Sequence, residues 1–205
     1  MTHTDNVCLT PDGTAVRILD QSRLPNETIY LELSRAEDLY EAIHSLRVRG
    51  APAIGIFAAY AMYVLACQSK AGHYPDSIQD CQAIHRYLNA SRPTAVNLKH
   101  MLDRMLAVAE AMPCMDVDSI RSSMKKTALA IHQEDINMCA AISRHGLSLV
   151  KDGDGILTHC NAGQLATTRY GTALAPIHVG REQGMNFKVF TDETRPLLQG
   201  ARLSA

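Results

Sequence analysis

The stretch AIGIFAAYAMYVLAC at 53–67 limits the fold more than any other part of the chain. It carries no charge, yet it is shorter than the roughly 20 apolar residues that a membrane-crossing helix needs. It reads instead as a helix buried in protein. Pro52, just ahead of it, suits the first helical turn, where its missing N–H would be unpaired anyway. Such a helix requires a sizeable core, and the composition allows one. Of the 205 residues, 46% are hydrophobic and 20% charged, the balance of a soluble globular chain of one or two domains.

Charge narrows the partners. Twenty basic residues against 21 acidic ones leave a formal charge of −1, with no basic stripe and interleaved aromatics, so no nucleic-acid surface is expected. A small anion needs only one or two well-placed arginines. The N-terminus MTHTDNVCLTPDG lacks the charged-then-apolar layout of a signal peptide, and with no membrane span expected either, the protein is read as cytoplasmic. Cysteines 8, 67, 81, 114, 139 and 160 form no CxxC pair and read mostly as buried, reduced packing residues. The nine histidines show no HExxH-type spacing, so no metal and no other cofactor is expected.

Strands are expected at VRIL (16–19) and IYLEL (29–33), separated by a turn at Pro25-Asn26. Ser34 with Glu37 three residues later forms a capping-box pattern, and Leu39, Ala42, Ile43 and Leu46 share one face of a helix ending near Arg49-Gly50. Further helices are expected over 77–89, 94–111 and 117–149, punctuated by Pro75, Arg92-Pro93 and Pro113. After the turn cluster KDGDG the pattern changes to strand ILTHC (156–160), helix 163–179 and strand FKVF (187–190). A strand, helix and strand within about 35 residues predict a right-handed βαβ unit with a parallel pair. The expected class is therefore α/β, with a mainly helical N-terminal domain carrying short strands over 1–150 and the first βαβ part of a parallel-sheet domain over 151–205.

Four stretches could carry chemistry. In RVRGAPAIG (47–55), the N–H groups of Gly50 and Ala51 and the dipole of the following helix would complement a phosphate, and Arg49 would add forked donors. The same spacing also suits a tight helix connection with a solvated arginine. In SRPTAVNL (91–98), Pro93 holds Arg92 extended, and Thr94 or Asn97 could cap a helix or meet a ligand. Cys160 lies at the carboxyl end of a strand in a parallel unit, where ligands gather, and just before an expected helix whose dipole would favour a thiolate. A small buried cysteine packed against that helix is the other reading. His159 should face the opposite side of the strand, which leaves no Cys-His dyad. In TDETRPLLQGARL (191–203), Asp192 and Glu193 read either as a solvated turn bridged by Arg195 or as part of a crevice for a phosphorylated polyol, formed if the four turns converge.

RILDQSRLPNETIYLEL (17–33), VRGAPAIGIFAAYA (48–61), SRPTAVNL (91–98), GILTHCNAGQLATTRYGTALAPI (155–177) and VFTDETRPLLQGARL (189–203), in this order, closely resemble the methylthioribose-1-phosphate isomerase family. That family belongs to a larger group with ribose-1,5-bisphosphate isomerases and regulatory subunits of the translation-initiation guanine-nucleotide exchange factor, and the LDQ..LP segment favours the isomerase. The resemblance implies a substrate site built from Arg49, Gly50, Ala51, Arg92 and Gln199, with Cys160 as the active-site cysteine. It also implies a Rossmann-like second domain, a homodimer and a phosphorylated pentose substrate, converted from 5-methylthioribose 1-phosphate to 5-methylthioribulose 1-phosphate in methionine salvage. In such enzymes a general-acid aspartate and an Asn-Lys pair follow the QGARL motif. The chain is thus expected to be an incomplete copy with little activity alone. A non-catalytic subunit of the same fold group, binding sugar phosphates or nucleotides, is the alternative.

Overall fold

The computed structural model describes residues 5–113 and 115–204. Strands β1 (Val7–Leu9), β2 (Val16–Leu19) and β3 (Tyr30–Leu33) form an antiparallel sheet in that order. Five helices follow: α1 (Ala36–His44), α2 (Ala51–Gln68), α3 (Tyr74–Asn89), α4 (Val96–Glu110) and α5 (Val117–Leu147). Then β4 (Gly155–His159) pairs in parallel with β5 (Lys188–Asp192), with α6 (Ala175–Glu182) in the connection. A π-type turn over Gly200–Ser204 comes last.

Helix α2 is the centre of the molecule. Every residue from Ala53 to Ala66 is buried, which explains why this helix has no polar face. It packs on α3, α4 and α5, and its flank meets β1 and β2. Phe57, Tyr60, Ile56 and Met62 are all essentially inaccessible, each contributing about 1.5–3 kcal/mol by burial. Helix α5 starts at Asp116, whose side chain accepts the Ser119 N–H at 2.8 Å. This long helix packs on α2 and α4 and also on α6, so the parallel pair is tied to the helical layer through it.

Several expectations need correction. Ser34 does not cap α1: the N-cap is Arg35, and no side chain bonds the first turn. Leu46 leaves the helix face, because α1 stops at His44 and Leu46 takes a left-handed φ of 61°. Strand β1 was not anticipated, since three residues are too few for an alternating pattern. The helix expected over 163–179 is replaced by one 3-10 turn at Gln164–Ala166, an irregular segment, and α6 from Ala175 onward. Arg169 (φ 52°) and Gly171 (φ 85°) break the helix, and a Cβ on Gly171 would lie 2.3 Å from the Gly163 carbonyl carbon. Thr168 instead donates its hydroxyl to buried Asp135 at 2.6 Å, a tertiary bond that overrides local helix propensity. Of the cysteines, Cys81 and Cys139 are buried, Cys8 and Cys160 half-buried and Cys67 exposed, all as free thiols; Cys114 lies outside the described residues.

The two-stranded parallel sheet is covered on one side only. Leu157 and its cross-strand partner Phe190 are 67% and 58% exposed, although parallel strands are ordinarily buried on both faces.

Candidate functional site

The turn between α1 and α2 carries two arginines with opposite environments. Arg47 pairs with the buried Asp20 carboxylate and with Glu41 at 2.7 Å, so its charge is neutralised and it serves the structure. Arg49, only 7% exposed, has no carboxylate beside it. Its Nη1 donates to Gln199 Oε1 at 3.0 Å, its Nη2 donates to Asn161 Oδ1, and its Nε is buried without a partner. Burial pushes its pKa down, the nearby charge of Arg202 adds to that, and a thiolate at Cys160 would oppose it. A guanidinium held inside by neutral acceptors alone keeps its positive charge available to an anion.

Gly50 makes this arrangement possible. Its φ of 89° suits glycine, and a Cβ there would fall 2.4 Å from the Cα and carbonyl oxygen of Ala166. The 3-10 turn after Cys160 therefore rests directly on the backbone that opens α2. Cys160 itself has a left-handed φ of 59°. Its N–H donates to Asp192 O at 3.1 Å, and its carbonyl accepts the Ser204 hydroxyl at 2.6 Å. The thiol donates to Gln199 Oε1 at 3.0 Å and accepts from the Thr194 hydroxyl at 3.1 Å. Gln199 Oε1 thus receives both Arg49 and Cys160, which joins the helix turn, the β4 end and the QGARL segment in one contact.

The expected helix dipole behind Cys160 is not present, because α6 begins fifteen positions later at Ala175 and only a short 3-10 turn intervenes. The sulfur is oriented instead by Thr194 and Gln199. His159 is exposed and faces Asp192 at 3.7 Å, apart from the thiol. Glu193 is exposed, as a solvated turn residue would be, and among the described residues it forms no ion pair with Arg195. Its carboxylate accepts the N–H groups of Ala201 (2.7 Å), Gly200 (2.9 Å) and Thr194 (2.6 Å), bonds that hold it below the usual carboxylate range and fix the loop bearing Gln199.

Two cavities meet this constellation. The smaller, about 110 Å³, lies between Arg49, Gln199, Arg202, Gln21, Ser22 and Ser45. The larger, about 750 Å³, is lined by Gly50, Ala51, Arg92, Thr94, Asn97 and Asp135, with Met101, Met138 and Ile131 forming an apolar part. Arg92 makes no side-chain hydrogen bond or ion pair with the described residues, and Asn97 Nδ2 donates to Ala51 O at 2.7 Å, steadying the first turn of α2. Arg49, Cys160 and Gln199 therefore form one cluster, while Arg92, Gly50 and Ala51 line the adjoining cavity. Asn161, Thr194 and Asp135 were missed; their partners lie far away in sequence or in an irregular loop, which no local pattern reports.

The Initiation factor 2 subunit family model matches residues 47–205. The chain is 51% identical over 199 residues to the methylthioribose-1-phosphate isomerase of Symbiobacterium thermophilum, covering 97% of this chain and 55% of that protein. It is 52% identical over 187 residues to the 5-deoxyribose 1-phosphate isomerase of Petrotoga mobilis, covering 91% and 54%. The chain spans about half the length of the curated relatives it matches. Among solved structures, that of 5-methylthioribose 1-phosphate isomerase from Pyrococcus horikoshii OT3 superposes with a TM-score of 0.92 at 34% identity, covering all of this chain and 57% of that one. Subunit delta of translation initiation factor eIF-2B from A. fulgidus superposes with a TM-score of 0.86 at 32% identity, covering 98% and 57%.

Proposed function

The chain belongs to the Initiation factor 2 subunit family, and we propose that within it these residues form the phosphate-binding and cysteine part of an isomerase converting 5-methylthioribose 1-phosphate to 5-methylthioribulose 1-phosphate. The observation that carries this reading is Arg49, a buried cation without a carboxylate, sharing Gln199 Oε1 with the Cys160 thiol. The reaction explains why such groups belong together. A phosphate on the anomeric oxygen blocks spontaneous ring opening, so the ring oxygen must be protonated before hydrogen moves between C2 and C1. In this proposal Arg49, Arg92 and the N–H groups of Gly50 and Ala51 hold the phosphate, Gln199 orients the sugar, and Cys160 handles the proton. The ring-oxygen acid and the Asn-Lys pair come from the length that the relatives carry beyond the QGARL motif. A cytoplasmic homodimer is part of the same proposal, as the family resemblance implies.

The likeness to the A. fulgidus eIF-2B subunit favours a second reading, a sugar-phosphate-binding subunit without turnover. One experiment separates the two. The chain and a version extended by the remaining length of the Symbiobacterium relative are assayed for ketose phosphate, with Arg49→Lys in parallel. The extended parent should turn over, and the lysine, lacking a fork, should raise KM by about 10–100-fold. Binding without turnover in the extended parent would favour the subunit, and an unchanged KM in the variant would remove Arg49 from the site.

A further inference from the structure

The LDQ..LP segment is not needed for the chemistry above, yet its glutamine touches three of the segments that supply it: the Arg49 turn, the loop after Cys160 and the QGARL stretch. The Gln21 N–H donates to Arg47 O at 3.0 Å, two residues before Arg49. Its carbonyl accepts from Arg202 Nη2 at 3.1 Å, three residues after Gln199. Its side-chain Nε2 donates to Leu165 O at 2.7 Å, inside the turn that rests on Gly50. Two neighbours reinforce these bonds. Asp20, 1% exposed, holds the Arg47 side chain, and Asn6 Nδ2 donates to the adjacent Gln164 O at 2.7 Å. Arg202 also donates to the carbonyls of Ser22 and Leu24 at 3.3 and 2.7 Å.

Gln21 is only 3% exposed, and its Oε1 is buried with no partner. A buried acceptor left unpaired costs free energy, so stability alone does not account for an amide here. What the amide supplies is placement. We propose that Gln21 is a positioning residue: its backbone fixes the spacing between the Arg49 turn and the QGARL segment, and its side chain pins the 160–166 loop onto Gly50. Together these bonds set the contact among Arg49, Cys160 and Gln199. In such arrays a displacement of about 1 Å can cost roughly 10²-fold in rate, which gives a supporting residue leverage without touching substrate.

The inference rests on the isomerase reading for its effect on turnover alone, so the test uses a readout that needs no substrate. In the 205-residue chain, Gln21→Met keeps the bulk and removes the amide. Site-resolved alkylation by iodoacetamide should then modify half-buried Cys160 about threefold faster or more, as its loop loosens, while exposed Cys67 serves as the unchanged reference. Gln21→Glu adds a second arm. Its carboxylate sets two acceptors against each other at Leu165 O, whereas the protonated acid can donate. The Cys160 rate relative to the parent should therefore be high at pH 8 and return toward parity at pH 5, a rescue that a general loss of packing would not show. In the extended chain, Gln21→Met should lower kcat about tenfold or more with little change in KM. A Cys160 rate equal to the parent's in the folded variants overturns the proposal, whatever the turnover. An altered rate together with an inactive extended parent removes the isomerase reading and leaves the positioning role standing.

Discussion

Around α2 the interior is almost all apolar, and Phe57, Ile56 and Met62 need only contact with their neighbours to be satisfied. Around Cys160 the interior is made of Arg49, Asn161, Thr167 and Thr168, buried polar groups that need partners of fixed geometry. The backbones differ in the same way. Helix α2 is regular throughout, whereas Cys160, Arg169 and Leu198 all occupy the left-handed region at φ of 59°, 52° and 49°. Conformations of that kind cost of order 1–3 kcal/mol each for residues with side chains and persist only where the surroundings impose them. The helical layer thus provides the stability, and the loop layer uses some of it to hold a thiol and an unpaired guanidinium side by side.

The largest expected effect falls on the loop layer and leaves the core alone. Cys160→Ser preserves shape but replaces the thiol with a much weaker acid, so kcat of the extended chain should fall by about 10²–10⁴-fold. Its unfolding midpoint should stay near the parent's, because Thr194 and Gln199 can bond a hydroxyl as well. A kcat close to the parent's would make Cys160 a packing residue. The converse substitution is Phe57→Ala, fully buried in α2, which should cost about 3–5 kcal/mol in chemical denaturation. At temperatures where the variant remains folded, its KM should match the parent's. A large KM change would mean that core and site are not separable in the way their construction suggests.

The same contrast governs how much could be read from sequence. The α2 run, the strand at 16–19 and the start of α5 are local patterns of hydrophobicity or capping, and all appear in the structure. The helix expected over 163–179 does not, because Thr168 finds Asp135 33 residues away and Gly171 packs on Gly163. In the site, residue types such as Arg49, Cys160 and Gln199 were legible as motif members. Their convergence followed from the family resemblance alone and from no local pattern, since Arg49 meets Asn161 across 112 residues and Gln199 across 150. Arg47 and Arg49 look alike in sequence, and only the folded positions of Asp20 and Glu41 show which of the two is neutralised.

The smallest expected effect is a pH dependence that belongs to the helical layer. His132 on α5 is 7% exposed, and its Nδ1 lies 2.8 Å from the Tyr60 hydroxyl on α2. Burial pushes the Tyr60 phenol up, so it remains protonated and shares one hydrogen bond with Nδ1. Burial also holds the His132 pKa below its ordinary 6.5; Arg169 acts in the same direction, while Asp5 and Asp135 oppose it, and Lys126 lines the adjacent pocket. The unfolded chain therefore binds the proton at a higher pH than the folded one. The stability contributed by the neutral ring is present above pH 6.5 and is lost as pH falls from there toward the lower folded value. Glu193 in the loop layer behaves similarly in a lower window, since its carboxylate is held below its ordinary 4.5 by backbone N–H groups. Thermal unfolding from pH 8 to pH 3 should accordingly show a decline of the midpoint below about pH 6.5, at roughly 2–4 °C for each kcal/mol in a chain of this size. In His132→Gln, whose amide can still bond Tyr60 but does not titrate, that decline should flatten while the acid decline below pH 4.5 persists. Parallel curves for parent and variant between pH 7 and pH 5 would show that another group titrates there, and would detach His132 from the core's response to acid.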